Sequence, residues 1–514
     1  MMYSTSSQML AGLQTEIEQL IHQLHQAEFR FENAIREVHP SNRGSARNLI
    51  HYLALRSLDL RDIQEQLAEL SISSFAHAEG YILKNLLNIQ QLLVAMHGQP
   101  ANVVLDYPSA PFSYRTSKKR LRENAVSLFG HNNHGERSWI MVTMPTEAAE
   151  EPKLIEQMMT NGMNIARINT SHDHPDIWEK MIKNIRRAEH KTGKFCKIYF
   201  DLAGPKIRTD FSNMQLLKKA RKAKKGKLRL FPEDLLLITS APEKCQTIKK
   251  KGQPKALVAC ISLTLPEVLK TVKTGQRIFF DDGKISAKVV DHTEEGVMVE
   301  ITAAAVGGTK LQHNKGINLP DTTLHIPSLT DKDLDYLPFI AAHGDIIGYS
   351  FVRRADDIYL LQNELARLKR PAIGLVLKIE NKEAFDNLPD LILAAMRSPK
   401  AGVMIARGDL AVELGFERIA EVQEEILWIC EAGHLPNIWA TQVLESLAKK
   451  GLATRSEITD AAMACRAECV MLNKGPFISE AVKVLADILK RMAYHMDKKH
   501  GSFRALSVAR RFIH

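Results

Sequence analysis

The sequence predicts an α/β protein: a (β/α)8 TIM barrel, a β-rich lid domain inserted after its third strand, and an α-helical module before it. Three observations carry this reading. From Trp139 onward, eight short apolar runs alternate with segments of helical periodicity. The alternation breaks once, between Gly204 and Ile317, where Val, Ile, Thr and Gly dominate. Residues 1–97 show only helical spacing.

Residues 1–98 read as the helical module. Ile17, Leu20, Ile21 and Leu24 recur at helical spacing among Glu and Gln. Leu49, Ile50, Leu53 and Leu55 mark a second helix, and Ile82, Leu83, Leu86, Ile89, Leu92 and Leu93 a longer one. Nothing there suggests chemistry, so a docking or assembly role is expected. Residues 99–137, punctuated by Pro100, Pro108, Pro111 and His131-Asn132-Asn133-His134-Gly135, read as a linker.

The barrel is expected over 138–204 and 316–495. Its strand runs are Ile140–Met144, Ile165–Asn169, Ile198–Asp201, Ile346–Ser350, Ile373–Lys378, Val403–Ala406, Ile438–Ala440 and Cys469–Leu472. The insert, 205–315, carries turn signals at Asp282-Gly283 and Gly307-Gly308 and reads as a β-barrel-like lid. It leaves the barrel at the end of a strand, above the face where barrel enzymes place their sites. Residues 496–514 read as a tail.

With 45% hydrophobic and 25% charged residues, the 514-residue chain is neither disordered nor collagen-like. No window reaches the ~18 apolar residues of a membrane span, so no membrane partner is expected. The start, Met1-Met2-Tyr3-Ser4-Thr5, lacks the features of a secretory leader, and a cytoplasmic setting is expected. Six cysteines (196, 245, 260, 430, 465, 469) form no CxxC pair and read as reduced thiols. A net charge of +10 favours an anionic partner.

Polar residues gather at the strand ends. The runs finish in Arg167–His172, Asp201–Arg208, Ser350, Lys378–Asn381, Ala406–Asp409 and Thr441-Gln442. Glu380 and Asp409 end adjacent strands, and two carboxylates with substrate oxygens suit Mg²⁺ (or Mn²⁺). Lys378 points inward with Glu380 and can stabilise a transferring phosphoryl group or an enolate oxygen. Arg167 and Arg208 suit bidentate phosphate recognition. A barrel-interior ion pair would account for Lys378 and Glu380 alone, and leaves Asp409 and both arginines unexplained.

From Ile140 to Met492 the chain resembles the pyruvate kinase family. The resemblance rests on Met163–His172, Asp201–Thr209, Asp281-Asp282-Gly283, Lys315–Pro320, Lys378–Asn381, Met404–Glu413 and Ala440–Ser446, in family order at family-like intervals. It implies transfer of phosphate from phosphoenolpyruvate to ADP, giving pyruvate and ATP. It implies that Glu380 and Asp409 hold the divalent metal, Lys378 is the catalytic lysine, and Thr441 positions substrate and helps deliver a proton. Arg167 would bind the transferring phosphate, with Ser350, Ala406 and Gly408 beside the substrate. Asn169, His172, Arg208 and Lys315 match positions near the nucleotide phosphates. A homo-oligomer is expected.

The resemblance also implies a monovalent-cation site at Asn169, Ser171 and Asp201. Its usual threonine ligand is Leu202 here, and a glutamate position holds Lys206, so Lys206 is expected to replace the cation and K⁺ not to be required. After the eighth strand, Asn473-Lys474-Gly475-Pro476 stands where the family usually reads Ser-Gly-Glu-Thr, and a tyrosine placed near the adenine is replaced around Ile177. With the sequence ending at His514, the family's further α/β domain is not expected, nor activation by fructose bisphosphate.

The basic runs Lys218–Lys225 and Lys249–Lys251 in the insert carry no interleaved aromatics. They read as a solvated surface that steers nucleotides, not as a nucleic-acid groove. Two rival readings are another Mg²⁺-dependent pyruvate or enolate barrel enzyme, such as a lyase, and a weakened barrel kept as an assembly or nucleic-acid-binding scaffold. Arg167, Arg208 and Lys315 argue against the first; Lys378, Glu380, Asp409 and Thr441 argue against the second.

Overall fold

The computed structural model describes residues 2–73, 75, 77–97, 110–132, 137–216, 226–242, 257–493 and 505–514. Three parallel strands open the barrel: β1 (Trp139–Thr143), β2 (Met163–Asn169) and β3 (Lys197–Asp201). The insert follows with β4 (Thr209–Leu216), β5 (Lys227–Leu230), β6 (Leu235–Ile238), β7 (Leu257–Leu263), β8 (Arg277–Phe280), β9 (Ile285–Thr293), β10 (Gly296–Ala303), β11 (Thr309–Gln312) and β12 (Ile317–Asn318). Five strands complete the barrel: β13 (Ile346–Tyr349), β14 (Gly374–Ile379), β15 (Ala401–Ala406), β16 (Asn437–Ala440) and β17 (Cys469–Leu472). They close in the order β1-β2-β3-β13-β14-β15-β16-β17, and β17 pairs back to β1 with Trp139 opposite Cys469. The strands are apolar and almost wholly buried, as an all-parallel sheet covered on both faces requires.

The eight apolar runs thus become the eight barrel strands, with bounds shifted by a residue or two. In the insert, seven strands form a sheet in the order β12-β8-β9-β10-β6-β7-β4, and β5 pairs with β11 as a separate ribbon. Its core, built on Leu236, Ile261, Ile278, Phe280, Val289 and Val299, is distinct from that of the barrel. Ile317 and Asn318 pair with Phe280 and Phe279, and Leu319 enters the insert core. The insert therefore runs past the boundary expected at 315. A two-residue strand has no alternation by which a sequence pattern could announce it. The basic runs Lys218–Lys225 and Lys249–Lys251 lie outside the described residues.

Helices α1 (Met2–Arg30), α2 (Glu32–Glu37), α3 (Arg43–Arg56), α4 (Arg61–Glu69) and α5 (Ile82–Met96) form the N-terminal module. Its core is continuous with that under the barrel's outer helices. Asn48 Nδ2 donates to the Ala432 carbonyl (2.9 Å), and Asn42 Nδ2 donates to those of Met396 (2.9 Å) and Ser398 (3.0 Å).

The expected linker contains a helix, α6 (Tyr114–Phe129), opened by a Ser113–Thr116 capping box and closed at Gly130. Leu128 and Phe129 pack with Trp139, Met141, Ile346 and Val376, plugging the N-terminal mouth of the barrel. Gly374 and Gly402 permit this: a Cβ there would stand 2.6 and 2.7 Å from Leu128. The sequence pattern concealed α6 because its first ten residues are mostly basic or polar and follow a proline-rich stretch.

The expected tail also holds a helix, Ser507–Ile513, which docks on the module. The Leu506 N–H donates to the Arg56 carbonyl (2.9 Å), and Arg30 Nη1 donates to the Ile513 carbonyl (2.5 Å). Cys196, Cys430, Cys465 and Cys469 are free thiols, but Cys260 is disulfide-bonded, which corrects the expectation of six reduced thiols. Sequence spacing gave no signal for that bond, because such proximity is a property of the fold. No described helix is long and apolar enough to cross a membrane.

Candidate active site

The C-terminal ends of the barrel strands assemble a buried charge network. Lys378 Nζ, near the end of β14, lies 3.1 Å from Asp201 Oδ1 and 3.0 Å from Glu380 Oε1, and donates to Ser350 Oγ at 2.6 Å. Alternation along β14 puts Lys378 and Glu380 on the same side. Burial alone would lower the Lys378 ammonium, but the Asp201 and Glu380 charges outweigh it and raise its pKa. Arg167 on β2 donates from Nε to Asp201 Oδ2 (2.8 Å), adds a second bond from Nη2 to the same oxygen, and donates from Nη1 to Thr143 Oγ1 (2.7 Å). Burial works to raise the Asp201 carboxyl, yet Arg167 and Lys378 hold it below the usual range.

Glu380 behaves differently. Its Oε2 accepts the Phe351 backbone N–H at 2.8 Å. Burial raises its pKa, Lys378 offsets part of this, and the charges of Asp409 and Asp201 raise it further. Glu380 and Asp409 are therefore close enough to repel. The interior ion pair weighed from the sequence is present, but it is one edge of a larger network.

Asp409 lies in the first turn of the helix Arg407–Leu414. Both of its oxygens accept from Lys206 Nζ, at 2.8 and 2.9 Å. The structure thus places Lys206 on Asp409, and not among Asn169, Ser171 and Asp201 as the sequence led us to expect. The physical reason is charge balance. Asp201 already holds Arg167 and Lys378, whereas Asp409 has no other cationic partner among the described residues. Asn169 Oδ1 meanwhile accepts the Ser171 backbone N–H (3.0 Å).

Thr441 follows β16 with left-handed backbone (φ 67°), as do Gln442 and Leu444. Non-glycine residues pay about 1–3 kcal/mol in sparsely populated backbone regions unless the surroundings hold them there. Here Arg407 does so. It donates to the carbonyls of Ala440 (3.1 Å) and Thr441 (2.5 Å), pairs with Asp460 (2.8 Å), and lies over the Trp439 ring. Thr441 Oγ1 accepts the Gly408 N–H at 2.8 Å, which aims the hydroxyl at the start of the Asp409 helix.

These groups border a cleft of about 150 Å³, lined also by Asn169, Ser171, Arg208 and Ala406. The other expected residues lie around it. His172 lines a small neighbouring recess with Asn169 and Lys474. Burial, and then the charge of Lys474, lower its pKa. Arg208 Nη1 donates to the Asn314 carbonyl (3.2 Å), and Lys315 Nζ pairs with Asp281 Oδ1 (2.9 Å). Lys315 does not line the cleft and belongs to the base of the insert.

Sequence reasoning missed the Arg407–Asp460 clamp, the Phe351–Glu380 bond and Lys474. Arg407 stood inside a recognised motif. No local pattern links it to Asp460, 53 positions on.

Comparison with known proteins agrees with this geometry. The family model "Pyruvate kinase, barrel domain" matches residues 136–482. The pyruvate kinase of Thermotoga maritima is 32% identical over 361 residues, covering 69% of this chain and 70% of that protein. The chain belongs to the pyruvate kinase family. Pyruvate kinases of Geobacillus stearothermophilus and Dictyostelium discoideum are each 33% identical, over 68% and 69% of this chain. The chain spans 56% and 66% of those two relatives' lengths. The pyruvate kinase match takes in all eight barrel strands and the insert, while α1–α6 lie before it.

Proposed function

We propose that this chain moves the phosphoryl group of phosphoenolpyruvate to ADP, giving pyruvate and ATP. The observation that supports this most is the Lys378 network. An ammonium is held buried between Asp201 and Glu380 at the mouth of a barrel, in a cleft that a third carboxylate, Asp409, also lines.

Glu380 and Asp409 fit a divalent cation. Both are hard oxygen donors, Glu380 just after β14 and Asp409 in the first turn of the helix after β15, and the repulsion between them, which adds to the rise that burial imposes on Glu380, is what a shared cation would relieve. Bound there, Mg²⁺ (or Mn²⁺) would neutralise charge on the phosphoryl and substrate oxygens.

In this reading Lys378 offers its ammonium to the phosphoryl oxygens as the enol oxygen–phosphorus bond breaks and the bond to the ADP phosphate forms. Arg167, already oriented by Asp201, offers a bidentate face to the same group. The backbone at Ala406–Gly408, where a helix opens, faces the substrate carboxylate in this reading, with the Gly408 N–H already given to Thr441. Thr441, fixed by Gly408 and the Arg407 clamp, positions substrate and helps deliver a proton to the enolate carbon. Asn169, His172 and Arg208 hold the nucleotide phosphates, and Lys315, at the base of the insert, joins them as the insert closes. The insert, closing over the cleft, excludes water so that transfer to ADP outruns hydrolysis.

Lys206, paired with Asp409, brings fixed positive charge to the same cleft, and K⁺ is not required in this reading. The cytoplasmic setting and the homo-oligomer expected from the resemblance remain part of this proposal. No observation favours the lyase or the scaffold reading. A lactate dehydrogenase-coupled assay with phosphoenolpyruvate, ADP and Mg²⁺ tests the proposal. Absence of pyruvate formation from folded protein would refute it.

A further inference from the structure

A second cleft adjoins the catalytic one at Phe351, which lines both. It measures about 790 Å³, a size that suits a small-molecule ligand. Two bodies build it. The insert and its return segment contribute Arg277, Asn318 and Asp321; the barrel contributes Arg353, Arg354 and Lys382. Six cationic side chains line it against four carboxylates. One of the four is Glu413, whose carboxyl burial pushes up to about 7, so the lining is more positive at neutral pH than the count suggests.

Arg353 is the least satisfied of the six. It is 8% exposed, and burial pushes its pKa down. Its Nη2 donates to the Ile326 carbonyl and weakly to Ser328 Oγ, but no carboxylate pairs with it among the described residues. The Asp357 and Glu383 charges lie near enough to oppose part of the burial effect, but a buried guanidinium without a directly paired carboxylate is still costly, and an anion in the cleft would offset that cost. The neighbouring cations are paired but face solvent. Arg277 pairs with Asp321 at 2.7 Å, Arg354 with Glu383 at 2.7 Å and Arg511 with Asp386 at 2.8 Å, and all three arginine side chains are more than half exposed. Exposed pairs contribute little, so Arg354 and Arg511 can turn to a ligand oxygen, whereas Arg277, which holds both Asp321 oxygens (2.7 and 2.9 Å), gives up part of a bidentate pair to do so.

We propose that this cleft binds a small molecule carrying two anionic groups, phosphate or carboxylate, one held by Arg353 and Arg354 of the barrel and the other by Arg277 of the insert. Such a ligand ties the insert to the barrel. Phe351 connects it to the catalytic cleft, since its backbone N–H holds Glu380 and its own backbone is left-handed (φ 55°). The site goes beyond the phosphoryl-transfer reading and stands or falls independently of it.

Titration calorimetry of the full chain in metal-free buffer tests this, with methylenebisphosphonate and tricarballylate as separate probes. One-site binding of at least one probe is expected, and the preferred probe separates phosphate from carboxylate recognition. Arg277→Gln and Arg354→Gln should each weaken binding by about tenfold or more, as loss of a charged hydrogen-bond donor does. Arg208→Gln, in the catalytic cleft, should leave it unchanged. Arg353→Gln should abolish it, with circular dichroism as the fold control; should that variant fail to fold, the two exposed variants decide. No binding of either probe, binding insensitive to Arg277 and Arg354, or binding lost only in Arg208→Gln would overturn the proposal.

Discussion

Lys206 Nζ, at the root of the insert, grips both carboxylate oxygens of Asp409, at 2.8 and 2.9 Å. Lys206 is thus paired with a carboxylate of the cleft. The carboxylate is a candidate metal ligand, and the lysine reaches it from the segment that joins β3 to β4. A tethered ammonium brings fixed positive charge with no ion to recruit. We expect full turnover in Na⁺ or tetramethylammonium buffers with little gain from K⁺. Lys206→Glu should lower activity and make the remainder respond to K⁺. A wild-type protein inactive until K⁺ is added would contradict this.

The paired carboxylates make a second expectation. Glu380→Gln and Asp409→Asn each delete one hard anionic donor without opening a cavity. Mg²⁺-dependent turnover should largely disappear while the circular dichroism spectrum and melting temperature stay near wild type. Near-normal activity in both variants would remove Glu380 and Asp409 from the metal site.

Lys378 separates transfer from ligation. Lys378→Met should reduce phosphoryl transfer on the order of 10²-fold or more, by loss of a preorganised charge. Mn²⁺ affinity, followed by electron paramagnetic resonance, should change much less. Equal losses of metal affinity and turnover would favour a purely structural ion-pair role.

Glu413 links the Asp409 helix to the insert, accepting from Asn318 Nδ2 at 3.0 Å. Burial raises its carboxyl from 4.5 to about 7; the Asn318 bond opposes this, and the charge of Asp409 adds to the rise. The fold therefore binds this proton more tightly than the unfolded chain does. Its stabilising contribution is complete below pH 4.5 and is lost as pH rises through about 7. Glu413→Gln should melt higher than wild type at pH 8.5 and nearly together with it at pH 4.5. Parallel melting curves across that window would show that Glu413 does not titrate there.

The α6 plug gives a packing test. Leu128 fills the space left by Gly374 and Gly402 at the bottom of the barrel. Leu128→Ala should cost about 2–5 kcal/mol of stability in urea unfolding, the usual range for a buried leucine. Turnover per folded molecule should be retained, because the plug lies at the end of the barrel opposite the cleft. A variant as stable as wild type would mean that α6 merely rests on the barrel.

The barrel was legible because its information is local. Each strand is a short buried run, each outer helix has its own apolar stripe, and the order of the two fixes the topology. Arg167, Asp201, Lys378, Glu380, Asp409 and Thr441 were legible for the same reason, as residues at strand ends within short motifs. The role of α6 was not. Its apolar residues are few, and their burial depends on two glycines more than 200 positions away.

The sequence by itself determined the strand and helix alternation, the place of the insert and the residue types at the barrel mouth, since these follow from periodicity and from side chains alternating along strands. The tertiary structure alone decided which charges meet. It gave Asp201 to Arg167 and Lys378, Asp409 to Lys206, and the strained Thr441 loop to Arg407. Such pairings depend on distances of a few ångströms between strands far apart in the chain, and Coulomb energy at buried sites changes steeply over that range.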